Sequence, residues 1–114
     1  MASLIFKEKI SKETFQKIAE ESSYGDAMVK VVADIQKDII AVGCDFHMDC
    51  AEELFENGSL TQNLWGANIY PKDKKIDFIS LINIKPAENN RSMEIQNEEI
   101  KRKVEEIIKK FLDW

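Results

Sequence analysis

Leu64-Trp-Gly-Ala-Asn-Ile-Tyr70, then Pro-Lys-Asp-Lys-Lys, then Ile76-Asp-Phe-Ile-Ser-Leu-Ile-Asn-Ile-Lys85 reads as strand, turn and strand. Apolar and polar side chains alternate before the lysine-rich turn at 71–75, and β-favouring residues resume after it. If Tyr70 faces Ile76, pairing carries Ala67 opposite Ile79 and Trp65 opposite Leu81, with Gly66, Asn68, Phe78 and Ser80 on the other face. Both faces of the 76–84 run are rich in apolar residues, which predicts a central strand. Gly66 inside a strand marks a bulge or a close approach to its backbone, and Trp65 is expected in the core, facing the last helix.

Upstream lies a second pair of apolar runs, 28–35 and 39–44, around the polar turn 36–38. This is a further hairpin, whose register is open because the turn lacks a glycine. Ser11 has the character of an N-cap for a helix of about residues 12–21, with Phe15, Ile18 and Ala19 on one face. Asp49, three residues before Glu52, predicts a capped helix over about 50–57, ended by Gly58. Asn97 caps the last helix, where Ile100, Val104, Ile107, Ile108, Phe111 and Leu112 form one apolar stripe. Residues 86–91 read as a loop and 92–95 as a short edge strand. The expected fold is α+β in the order α-ββ-α-ββ-α: one domain over residues 1–114, with a small four-stranded antiparallel or mixed sheet covered by the C-terminal helix.

The chain of 114 residues is 44% apolar and 32% charged, the balance of a globular domain. Its net charge of −5 and its lack of a Lys/Arg cluster free of carboxylates argue against nucleic acid as a partner. No apolar run approaches a membrane span, so no membrane partner is expected. Two cysteines without a secretion signal read as reduced, buried thiols in a cytoplasm.

Two groups of residues carry the candidate chemistry. The first is Cys44, Asp45, His47, Asp49, Cys50, Glu52 and Glu53, in a stretch free of Lys and Arg. His47 is the only histidine and suits proton transfer; Asp49 and Arg91 would be its helpers in a small hydrolase or transferase, provided all three share one pocket. Cys44, His47 and Cys50 are three zinc-ligand types, but their spacing matches no zinc signature and both cysteines fall at apolar positions. No metal and no cofactor are expected. The second group comprises Asn63, Asn68, Ser80, Asn83, Asn89, Asn90, Arg91 and Ser92. Asparagine is unfavourable inside strands, so Asn68 and Asn83 stand there for some gain: a ligand contact, or a tie on irregular backbone. Arg91, between Asn90 and Ser92, could hold a carboxylate or phosphate, or pair with Glu94 or Glu98.

Gly43, His47, Asp49, Gly58-Ser59, Leu64-Trp65-Gly66 with Asn68, then Ser80-Leu-Ile-Asn83-Ile and Asn90-Arg91-Ser92-Met93-Glu94-Ile95 resemble the signature of a small prokaryotic domain family of unknown function. The resemblance runs from about Met28 to Leu112, with Asn63 where an acidic residue is expected. It implies a prokaryotic protein and supplies no substrate. Without a complete nucleophile–base pair, the sequence points to a non-catalytic cytoplasmic domain. It would bind a small molecule or a protein through Asn68, Asn83, Asn90, Arg91 and Ser92, and homodimerise.

Overall fold

The computed structural model describes residues 4–114. It contains strands β1 (Leu4–Phe6), β2 (Val29–Asp34), β3 (Ile39–Val42), β4 (Leu64–Tyr70) and β5 (Lys75–Asp77), and helices α1 (Lys12–Glu21), α2 (His47–Glu56) and α3 (Glu98–Leu112). The strands make one antiparallel sheet in the order β1-β3-β2-β4-β5. The class is α+β as expected, but the sheet has five strands. Leu4-Ile-Phe6 supplies the extra one by pairing with the free edge of β3. Of the two expected sheet types the antiparallel one is found; a mixed sheet would need β3 beside β4, and β2 separates them.

Alternation along the strands divides the core in two. Val29, Val31 and Ala33 of β2 and Trp65, Ala67 and Ile69 of β4 face α1 and α3. Val32, Ala41 and Leu64 point the other way, against Cys50 and Leu54 of α2. The result is a helix–sheet–helix sandwich. Period-2 alternation lets the sheet bury both faces, one under α1 and α3 and the other under α2.

The first hairpin is closed without glycine because Asp34 acts as the turn. Its Oδ1 accepts the N–H groups of Gln36 at 2.9 Å and Lys37 at 3.0 Å, and Asp38 takes a left-handed φ of 55°. Asp34 is buried, and its Oδ2 accepts the Ser59 hydroxyl at 2.6 Å, so the carboxylate is satisfied on both sides.

The second hairpin is one residue shorter in its turn than the sequence reading assumed. Lys74 adopts φ 52°, and pairing resumes at Lys75 opposite Tyr70, with Ile76 opposite Ile69. That one-residue slip exchanges the faces of β5 and places Asp77 beside Asn68. Nor is the 76–84 run a central strand. β5 is an edge strand that stops at Asp77, and the chain turns through a short 3-10 segment at Leu81–Asn83. Residues 92–95 contribute only an isolated bridge, between Ile79 and Glu94.

Two helices match their expected spans. Ser11 Oγ accepts the Thr14 N–H at 3.1 Å, and Asn97 Oδ1 accepts those of Glu99 and Ile100 at 2.9 and 3.0 Å. Helix α2 starts earlier than expected. Phe46 is the N-cap and Asp49 lies inside the first turn, where its Oδ2 accepts the Phe46 N–H at 3.3 Å. His47 is therefore the first helical residue rather than a loop residue.

Candidate functional site

Gly66 organises one end of the α2-facing side of the sheet. A Cβ there would lie 2.7 Å from Cβ and Oγ of Ser80 and 3.1 Å from Cδ2 of His47. The strand glycine thus marks a close approach, not a bulge: it lets a ring and a hydroxyl rest directly on the β4 backbone. Next to it, register places Lys30 of β2, Asn68 of β4 and Asp77 of β5 in one row across the sheet.

His47 is buried, and its Nε2 lies 2.8 Å from the carbonyl oxygen of Ala67. A carbonyl only accepts, so Nε2 carries the proton. Burial is the main influence on its pKa, lowering it from 6.5; the positive charge of Lys30 adds to this, while the Ala67 carbonyl, the Asn68 side chain and Asp77 pull the other way. The ring is neutral at pH 7 and Nδ1 is its unprotonated nitrogen.

Asn68 has both amide protons committed, to Asp77 Oδ1 at 2.8 Å and to the Ile79 carbonyl at 3.2 Å. This fixes the orientation of the amide. Its Oδ1 is buried and has no hydrogen-bond partner. The Asn68 side chain is near enough to the imidazole to favour the protonated ring. Tyr70 Oη donates to Asp77 Oδ2 at 2.7 Å, which raises the tyrosine pKa and holds the carboxylate from its second side.

Over this polar floor opens a cleft of about 380 Å³, lined by Lys30, His47, Asn68 and Ser80 below and by Phe46, Met48, Ile79, Leu81, Ile82 and Met93 around it. Phe46 and Leu81 are 66% and 71% exposed, unusual for large apolar side chains and concentrated at one mouth. The Lys30 ammonium stands 5.3 Å from the centre of the Tyr24 ring.

Of the polar group singled out in the sequence, Asn68 and Ser80 line the cleft. Asn83 is fully buried. Its Oδ1 accepts the Gly66 N–H at 2.8 Å, and its Nδ2 lies 3.0 Å from the Gly66 and Met93 carbonyls and 3.3 Å from that of Phe78. The amide pairs with the Gly66 peptide as a neighbouring strand would. Asn90, also buried, donates to the carbonyls of Asn83, Ser92 and Glu94 and accepts the Gln96 N–H at 2.7 Å. Both are ties on irregular backbone. Arg91 is exposed, its backbone N–H bonded to Gln96 Oε1, and Ser92 Oγ accepts the Glu94 N–H.

The convergence that catalysis needed is absent: neither Asp49 nor Arg91 lines the cleft that holds His47. The reading of Cys44 and Cys50 as reduced thiols is also corrected. Both are buried as expected, but they are joined in a disulfide, which removes Cys44 as a nucleophile and both sulfurs as thiolate ligands. Among the described residues no helix is long and apolar enough to cross a membrane.

Sequence reasoning missed Lys30 and the apolar rim. Lys30 looked like an ordinary outward-facing residue of an alternating strand. Phe46 and Met48 on either side of the only histidine were the available signal.

The buried histidine gives a pH prediction. Folding lowers the pKa of His47, so the unfolded chain binds the proton first as pH falls. The contribution of neutral His47 is complete above 6.5 and is lost as pH falls from there through the lowered folded value. His47→Gln, whose amide can still donate to Ala67, is expected to flatten the stability–pH curve in that window. Urea unfolding across pH on both proteins checks it; parallel curves would refute it.

Fold and site together define a three-layer α+β domain with an apolar-rimmed cleft over a polar floor. A family model described as a protein of unknown function, DUF5674, matches residues 4–111, and the chain belongs to that family. No curated protein and no solved structure matches the chain.

Proposed function

We propose that the domain binds a small molecule in this cleft without transforming it. The apolar body would lie against Phe46, Met48, Leu81 and Met93, and a hydrogen-bond donor would face the floor. The observation that carries this reading is the buried, unpartnered Oδ1 of Asn68. Leaving such an acceptor unpaired costs about 1–3 kcal/mol, and a donor supplied by a ligand offsets that cost. The volume of about 380 Å³ falls in the range of small-molecule pockets, about 300–1,000 Å³. Neutral His47 offers a second acceptor through Nδ1, which favours a neutral donor such as an amide or alcohol over a carboxylate. Asn83 and Asn90 serve the site indirectly by holding the Ile79–Met93 wall. The expectation of a prokaryotic homodimer rests on the sequence reading alone; the cytoplasmic expectation loses its argument from reduced thiols, since Cys44 and Cys50 are joined.

The test is ligand-observed NMR with benzamide, benzyl alcohol and benzoate. Benzamide and benzyl alcohol are expected to bind the wild type more strongly than benzoate, and to be displaced in Met93→Trp, which fills the cleft from its partly exposed rim. No binding to the wild type, or binding that survives Met93→Trp, would refute the reading.

A further inference from the structure

One wall of the cleft is the stretch closed by the Cys44–Cys50 disulfide. Phe46, His47 and Met48 all lie between the two cysteines and all line the cleft. This wall is not held by burial of its own apolar side chains, since Phe46 and Met48 are 66% and 55% exposed. Among its anchors are the disulfide at its ends, the Ser23 hydroxyl on Asp45, the Phe46 N–H on Asp49 and the His47 ring on Ala67. The disulfide joins a residue just beyond β3 to one in the N-terminal half of α2, and both sulfurs are packed with Val32, Ala41, Leu54 and Leu64. Two unbonded sulfurs need more room than a bonded pair. That room can come from the start of α2, whose Phe46 and Met48 side chains are exposed.

We propose that this disulfide is a redox switch for the cleft, a reading that rests on the binding function proposed above. When the start of α2 opens locally and uncovers the buried pair, a thiolate of a dithiol reductant, a small molecule or a protein, attacks one cysteine sulfur. The S–S bond breaks, the other cysteine leaves as a thiolate and takes a proton. The second thiol of the reductant then displaces the mixed disulfide. Two electrons and two protons pass to the domain, giving two cysteine thiols and an oxidised dithiol. Reduction frees the first turn of α2 from the end of β3 and loosens the wall carrying Phe46, His47 and Met48. A cleft that must then be ordered by its occupant binds more weakly than one already in place.

The experiment uses the wild-type chain, oxidised and after treatment with dithiothreitol, with thiols counted by alkylation and mass measurement. Chemical reduction requires no variant to fold. Amide hydrogen exchange is followed at residues 46–49, and benzamide, followed by ligand-observed NMR, serves as the probe of the cleft. Reduction is expected to speed exchange at 46–49 and to weaken probe binding by about 5- to 150-fold, the ordinary range of coupling between two sites, with α3 unchanged. The proposal is overturned if exchange at 46–49 is the same in both states. It is also overturned if the disulfide resists reduction in the native protein, or if exchange rises equally in α3, which would make the bond a global staple. A probe bound by neither state, with exchange at 46–49 changed, counts against the binding reading and leaves the switch supported.

Discussion

Ile107→Asp is expected to abolish the cooperative unfolding transition. Ile107 lies on α3, is 3% exposed and belongs to the cluster shared with β2, β4 and α1. A carboxylate there meets only apolar neighbours and must be buried unpaired or neutralised by taking up a proton. Substitutions of this kind cost about 4–5 kcal/mol or more, against a total of about 5–15 kcal/mol for an ordinary domain. Ile107→Val, which removes one methylene group, should cost about 0.5–1.5 kcal/mol and keep a sharp transition. Circular dichroism melts of both variants decide the matter; an unchanged Ile107→Asp melt would show that α3 does not cover the sheet.

Asn83→Ala is expected to be the most damaging polar substitution. It removes the partner of the buried Gly66 N–H and of the carbonyls of Gly66, Phe78 and Met93. With each unsatisfied buried group costing about 1–3 kcal/mol and some of them re-solvated, the loss should be about 3 kcal/mol or more. Arg91→Ala, at an exposed position a few residues on, should stay within about 0.5 kcal/mol of wild type. Denaturant unfolding of the pair tests whether these amides are structural ties. Equal stabilities would contradict that role for Asn83.

What could be read from the sequence was local. Ser11 and Asn97 announce α1 and α3 because an N-cap acts within three residues of itself. The core face of β4 was legible from the alternation of Trp65, Ala67 and Ile69. The misreadings share a cause, which is information held by distant residues. Leu4-Ile-Phe6 is too short to declare a strand until β3 offers it an edge. Phe46 has no capping group, so the start of α2 was assigned to the next acidic residue that could cap, Asp49. The run after Asp77 has strand composition throughout, but Asn83 competes for the Gly66 peptide and draws the chain out of the sheet. Cysteine at an apolar position satisfies the core equally as thiol or disulfide, so burial was legible and pairing was not. In the site, Asn68 could be singled out because it breaks strand propensity. Ser80 falls on the face of Asn68 in the hairpin reading, whereas Lys30 and His47 come from two other segments, and nothing in their spacing links them to it.

The order β1-β3-β2-β4-β5 also sets a sequence of events for a chain that has yet to fold. The turns within β2–β3 and β4–β5 close short loops, which costs little entropy and takes microseconds for hairpins. The β2–β4 pairing joins the two halves, and it must wait for the intervening residues, α2 included, to be drawn across one face of the sheet. Contacts of that separation are the slow ones. Variants that weaken the β2–β4 seam should therefore slow folding, whereas variants in β1, which adds to an edge already built, should chiefly speed unfolding. On this topology the cleft is among the last features to form, since its floor needs the seam and its wall needs α2 in place.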